Sequence, residues 1–242
     1  MAELQNKHLL IVGGSSGIGF AIAQRAGLEG ARLTLMGRSQ QRLDEARAML
    51  KAQNIKVCET LACDAHDHDA LQACFAKLAP FDHLVSMVGD AMGGGFLAAS
   101  METIEHVIHS KFLTNVVIGK LAAKKLRSGG SLIFTSGTGG RAQHACASYV
   151  GNLGIQALVQ GLAAEMAPEG RVNAVAPTWT VTPFWREQSR EQVDNTRQHF
   201  ASVIPLGRTA EIDELASAYL FLMKNDFVTG QQLAVDGGIM LG

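Results

Sequence analysis

At 242 residues the chain can bury roughly three quarters of its unfolded surface, and a single α/β domain spanning 1–242 is expected. A net charge of −1 with 18 % charged residues argues against a phosphate-backbone-binding face and so against nucleic acid as a partner. No apolar run reaches the eighteen or so residues of a membrane span, and the opening MAELQNKHLLIVGG has no signal core; a cytoplasmic protein with no membrane partner is expected.

In chain order, short apolar and β-branched runs alternate with longer stretches of helical period. His8 to Val12, Arg32 to Met36, Ile55 to Leu61, His83 to Val88, Ser131 to Thr135, Arg171 to Val175 and Gln232 to Val235 read as strands. Between them Ile18 to Glu29, Gln40 to Gln53, Asp69 to Ala79, Glu102 to Arg127, Tyr149 to Met166 and Ile212 to Met223 read as helices. Strand-helix alternation with right-handed crossovers predicts an α/β fold: a Rossmann-type, doubly wound, seven-stranded parallel sheet with helices on both faces. One stretch, Pro177 to Arg208, breaks the alternation after a strand's carboxyl end. Ligands bind at that edge of open α/β sheets, so the insertion is expected to be a substrate lid.

The first strand runs straight into Gly13-Gly14-Ser15-Ser16-Gly17-Ile18-Gly19 and then a helix. Glycines there allow a tight turn and let backbone N–H groups and the helix N-terminus approach a pyrophosphate. Farther on, Ser136 ends a strand thirteen residues before Tyr149, Arg171-Val-Asn-Ala-Val-Ala-Pro177 is followed by Thr182, and the tail carries Val235-Asp-Gly-Gly. With these motifs in this order the chain resembles the short-chain dehydrogenase/reductase family over almost its whole length.

The resemblance implies a nicotinamide cofactor on Gly13, Ser15, Ser16, Gly17, Ile18 and Gly19, with Asp64 and Ala65 at the adenine, and Gly89 and Thr182 completing the site. At the end of the second strand, where NAD-selective members carry a carboxylate, this chain has Arg38-Ser39. A guanidinium pairs a 2′-phosphate bidentately, so NADP is expected over NAD. The family's chemistry implies Ser136 as the residue that orients a carbonyl and Tyr149 as the proton donor.

Three departures stand out. Four residues after Tyr149, where the family has a lysine, stands Leu153; Asn152 beside it projects about 100° away on a helix. On the long helix Lys111 aligns with the family's asparagine, and it is expected to supply the cationic field that position 153 lacks. Ser86-Met87-Val88-Gly89 replaces Asn-Asn-Ala-Gly, and Val12 replaces a frequent threonine, an apolar exchange that leaves no donor unpaired. A free phenol ionises near pH 10, so reduction, which needs an acid, demands less help than oxidation, which needs a base.

Other residues read plainly. The acidic and histidine cluster from Asp64 to Asp69 suits turns and caps better than a metal, and none is expected. His106 and His109, without an evident carboxylate partner, read as surface or interface groups, and Cys58, Cys63, Cys74 and Cys146 as reduced packing thiols. Trp179, Phe184, Trp185 and Phe200 suggest an apolar or ring-bearing substrate, while Arg186, Arg190 and Arg197 permit an anionic tail. Two functions follow: a reductase of a small-molecule carbonyl (or, in reverse, an alcohol dehydrogenase), or a nucleotide-binding pseudoenzyme acting as a partner subunit. The resemblance also implies a homotetramer.

Overall fold

In a computed structural model describing residues 3–241, seven parallel strands form one sheet: β1 (His8–Val12), β2 (Arg32–Gly37), β3 (Val57–Ala62), β4 (Phe81–Ser86), β5 (Leu126–Thr135), β6 (Gly170–Pro177) and β7 (Gln232–Val235). Their order, β3-β2-β1-β4-β5-β6-β7, reverses direction between β1 and β4, which opens a crevice at their carboxyl ends. The fold expectation is therefore met.

Side-chain alternation along each strand builds two cores. Leu9, Ile11, Leu33, Leu35, Val85 and Ile133 face one layer, formed by α1 (Gly17–Leu28), α2 (Gln40–Ala52) and α8 (Ile212–Lys224). Leu10, Val12, Met36, Leu84, Leu132 and Phe134 face the other, formed by α3 (His68–Lys77), α5 (Thr114–Ala123) and α6 (Cys146–Met166). Each large apolar side chain so buried contributes about 1.5–3 kcal/mol. The remaining helices are α4 (Met101–Ile108), which packs against α6, and α7 (Arg190–Val203).

The helix expected from Glu102 to Arg127 runs from Met101 to Ala123, passing from α4 through a π-helical turn over His109–Leu113 into α5, and it stops short of the expected end, Arg127 already lying in β5. The strand starts early because Leu126 pairs with Phe81, ahead of the main run of pairing that begins at Ser131 with His83. The helical period in this stretch is real, but it ends where pairing with β4 competes for the backbone. Smaller shifts move β3 to begin at Val57, β4 to run from Phe81 to Ser86, and α6 to begin at Cys146.

Buried polar groups tie the far edge of the sheet. Arg171 donates from Nη1 to Leu222 O at 2.8 Å and from Nη2 to Met223 O at 2.8 Å, placing a cation on the last carbonyls of α8, where the helix dipole favours it. Asn173 donates to Val228 O at 2.8 Å and accepts from Gln231 N–H at 3.0 Å, which sets the entry into β7. Among the cysteines, Cys63 and Cys146 are buried and Cys74 half-buried; the side chain of Cys58 lies outside the described residues.

His83, enclosed between β4 and β5, hydrogen-bonds Ser131 Oγ through Nδ1 at 2.9 Å. Burial pushes its imidazole down to about 4, Asp82 opposing and Arg171 adding to the shift. The unfolded chain therefore binds more protons than the folded one between about pH 6.5 and pH 4, and stability falls as pH drops through that window. His83→Gln is expected to flatten the dependence of unfolding free energy on pH there, removing on the order of 3 kcal/mol of acid sensitivity. Urea melts at pH 7, 5.5 and 4 test this; an unchanged slope would assign the acid sensitivity elsewhere.

Candidate active site

The residues singled out in the sequence converge on the carboxyl edge of β1 to β6. Gly13 leaves β1 at φ +89° and donates its N–H to Met36 O at 2.8 Å; a Cβ there would lie 2.9 Å from Met87 Cβ. Gly19 packs against the carbonyl of Gly13, where a Cβ would overlap it. Gly17 opens α1 at φ +56° under Thr182 and Pro183. Ser16 occupies the N-cap position of α1 without a side-chain capping bond, which leaves the first-turn N–H groups to an anion. Ser15 lies beside Gly37, and Ile18 turns back onto the core.

Arg38 leaves β2 exposed, while Ser39 caps α2 by accepting from Arg42 N–H at 3.3 Å. Asp64 accepts from His66 N–H at 3.1 Å in a turn, and Ala65 is buried in the core. Thr182 Oγ1 accepts from Phe184 N–H at 3.3 Å, starting the 3-10 turn Pro183–Trp185. From that turn Arg186 Nη2 reaches Ser16 Oγ at 3.4 Å, so the segment after β6 touches the glycine-rich loop.

Ser136, directly after β5, is 3 % exposed and donates to the carbonyl of Asn152 at 3.3 Å. Tyr149, half-buried in the first turn of α6, lies one turn before Leu153, whose side chain is 50 % exposed. The Asn152 side chain packs on Gly137, so it turns toward the β5 loop.

Lys111 is buried inside the π turn. Its stem threads a slot whose walls are glycines: a Cβ on Gly89, itself at φ +143°, would lie 3.1 Å from Lys111 Cγ, and one on Gly151 would lie 3.0 Å from Cδ. The expected proximity of Lys111 to α6 is present, two residues before Leu153. The π turn is held by side chains: Thr114 donates to His109 O at 3.1 Å and Asn115 Nδ2 to Lys111 O at 2.7 Å. Burial pushes the ammonium down to about 8, with Asp90 opposing.

The replaced Asn-Asn-Ala-Gly stretch is not simply apolar. Ser86 donates to Asn115 Oδ1 at 2.6 Å, Asn115 donates to Val88 O at 3.0 Å, and Thr135 donates to Ser86 O at 2.7 Å while approaching Tyr219 Oη at 2.8 Å. Asn115 and Asp90 were absent from the residues expected at the site; their signal was a polar residue four after Lys111 and an acid directly after Gly89. The reading of His106 as lacking a carboxylate is corrected: its Nε2 lies 2.7 Å from Asp90 Oδ2, while His109 stacks on His68 at 5.0 Å. Asp67 caps α3, and among the described residues no group of three or more His, Cys, Asp or Glu is arranged to hold a metal.

The aromatic residues after β6 engage one another. Trp179 stacks with Phe200 at 5.5 Å and with Trp185 at 5.8 Å, and Phe184 meets Trp185 edge-on at 4.7 Å. Arg190 and Arg197 turn to Asp194.

Residues 12–240 match the family described as Enoyl-(Acyl carrier protein) reductase. Short-chain dehydrogenase/reductase fsr5 of Gibberella fujikuroi is 31 % identical, over 100 % of this chain and 97 % of that one. The chain belongs to the short-chain dehydrogenase/reductase family. Within it, Tropinone reductase-like 3 of Erythroxylum coca is 32 % identical over 98 % of this chain and 94 % of the relative. A solved small-chain dehydrogenase in complex with NADPH matches at a TM-score of 0.84 and 29 % identity, over 98 % of this chain and 100 % of that one. Among the described residues no helix is long and apolar enough to cross a membrane.

Burying Lys111 costs stability wherever the ammonium is charged. From 10.5 to about 8 the unfolded chain is the better proton binder, so the cost is full below pH 8 and fades as pH rises toward 10.5. Lys111→Met is expected to raise the unfolding free energy at pH 7 by on the order of 3 kcal/mol, with the gap from the parent protein narrowing by pH 10. Thermal melts at the two pH values check it; a variant less stable than the parent at pH 7 would mean that the charge is fully compensated.

Proposed function

We propose that the protein is an NADP(H)-dependent oxidoreductase that reduces a ketone or aldehyde to an alcohol. Tyr149 is the proton donor, Ser136 orients the carbonyl oxygen through its hydroxyl, and Lys111 supplies the cation that position 153 lacks. One observation carries this reading: the Lys111 stem runs between Gly89 and Gly151 onto the helix that bears Tyr149.

The chain's residues fit the cofactor. Gly13 and Gly17 take positive φ and Gly19 leaves no room for a side chain, so backbone N–H groups of the loop from Gly13 through Ser15, Ser16 and Ile18 can approach a diphosphate. Arg38 and Ser39 would hold the 2′-phosphate, Asp64 and Ala65 the adenine, and Gly89 and Thr182 the nicotinamide half. Arg186, at Ser16, adds a second guanidinium on the diphosphate side. When bound, the reduced cofactor supplies a hydride to the carbonyl carbon. Tyr149 gives its phenolic proton to the oxygen, and the positive field of Lys111 stabilises the tyrosinate left behind.

The stretch 177–208 serves as the lid in this reading. Its rings are already stacked on one another, so they set the shape of the substrate space more than they offer free faces to a substrate ring. The second function, a cofactor-binding pseudoenzyme, is favoured by one residue: Leu153 brings no charge to the helix.

Titration with NADPH and NADH, followed by a panel of carbonyl compounds, separates these outcomes. Arg38→Ala is expected to weaken NADPH roughly 10- to 100-fold and leave NADH little changed, whereas Arg186→Ala should weaken both alike. Tyr149→Phe is expected to abolish turnover with cofactor affinity retained. Cofactor binding without turnover in the parent protein favours the pseudoenzyme; no binding of either nucleotide overturns both readings.

A further inference from the structure

The place of a buried lysine is decided largely by its backbone, because the stem has no polar atom to hold it before the ammonium. In this chain the backbone of Lys111 is held by another side chain. Asn115, one helical turn later and fully buried, gives the hydrogens of its amide to two main-chain carbonyls, Lys111 O at 2.7 Å and Val88 O at 3.0 Å. A single amide nitrogen therefore ties the lysine to the loop after β4. That loop continues at once into Gly89, whose missing side chain makes the slot: a Cβ there would lie 3.3 Å from Lys111 Cα as well as 3.1 Å from Cγ. The clamp and the slot are two sides of one contact.

The amide can be fastened in this way in only one orientation, since a carbonyl accepts and cannot donate. Ser86 selects that orientation from the other end, donating its hydroxyl to Asn115 Oδ1 at 2.6 Å. Ser86 is itself anchored. Its carbonyl accepts from Thr135 Oγ1 at 2.7 Å, and with that proton committed, Tyr219 Oη at 2.8 Å is left to donate to Thr135. Ser86, Asn115 and Tyr219 are all fully buried, and Thr135 immediately precedes Ser136. A run of interior hydrogen bonds thus connects the turn that bears Lys111 with the residue next to Ser136.

We propose that Asn115 is the positioning residue of Lys111, and that Ser86 acts behind it by fixing the orientation of its amide. The inference rests on the reading of Lys111 as the cation of the site. It joins two departures from the family pattern, the lysine at 111 and the serine at 86, through a third residue that neither motif contains. Asn115 and Ser86 touch neither substrate nor cofactor in this arrangement; they act by holding the lysine's backbone against Gly89.

The test follows Lys111 itself, by NMR titration of cofactor-free protein carrying labelled lysine, with Lys111→Met assigning the signal. Burial holds the ammonium down to about 8; a stem freed from its clamp lets water in, so the midpoint should rise toward the ordinary lysine value. Asn115→Leu is expected to raise it by about one pH unit, and Ser86→Ala, which removes only a hydroxyl, by roughly half as much. In the carbonyl-reduction assay both should lower kcat roughly 10-fold, with KM and NADPH affinity little changed. In a Lys111→Met background Ser86→Ala should cost nothing further, since the lysine it positions is gone. A merely structural role would lower the melting temperature and leave the midpoint in place. An unmoved midpoint in both variants overturns the proposal, as does an unmoved midpoint in Ser86→Ala where Asn115→Leu does not fold. With Lys111→Met itself impaired, equal slowing by Ser86→Ala in both backgrounds overturns it too. Should the midpoint move while Lys111→Met keeps full activity, or while the parent protein turns over no carbonyl, the positioning role stands and the catalytic reading of Lys111 fails.

Discussion

A lysine side chain carried into the interior has to be admitted by the backbone around it, and the carboxyl edge of the sheet is shaped to admit that of Lys111. Two glycines, Gly89 and Gly151, let the stem pass between a loop and a helix. The helix that carries Lys111 widens by a π turn there, a distortion that recurs at functional sites because it reorients one residue without ending the helix. Asn115 holds the displaced carbonyl, and its amide oxygen in turn receives Ser86. Loop, turn and helix are therefore interdependent, and a side chain added at either glycine would press on the lysine stem.

The same edge is set by the sheet. With β1 and β4 as neighbours across the point of reversal, the glycine-rich loop and Gly89 leave the sheet side by side, and Met87 packs under Gly13. The family's spacing from Ser136 to Tyr149 becomes geometry here: Ser136 directly follows β5, and its hydroxyl binds the carbonyl of Asn152, three residues past Tyr149 on α6. The stretch after β6 then folds over the loop, bringing Pro183 beside Gly17 and Arg186 to Ser16.

Alternating strand and helix patterns made the architecture legible, because each strand's two faces feed two separate cores and each helix carries one apolar stripe. The glycine-rich loop was legible for a different reason: its backbone conformations admit few residues. What the pattern concealed were features made by distant partners. Helical period continues through Ser110 and Lys111, so the π turn leaves no local mark; it depends on Thr114 and Asn115 bonding back to carbonyls. His106 looked partnerless because Asp90 lies sixteen residues away and meets it only when the β4 loop and α4 pack. The aromatic residues share one stretch of sequence, but the periodicity of a sequence does not reveal that Trp179 would stack with both Phe200 and Trp185.

That last arrangement has an optical consequence. The chain has two tryptophans, Trp179 and Trp185, and they stack on each other in the segment that follows β6, with Trp185 Nε1 bonded to Thr180 O at 3.0 Å. Indole emission from this protein therefore originates entirely in that segment, and nothing in the sheet or the long helices contributes to it. Any shift of α7 that slides Phe200 off Trp179 changes the polarity around one indole, so the unlabelled protein carries its own fluorescent gauge of how that strap sits.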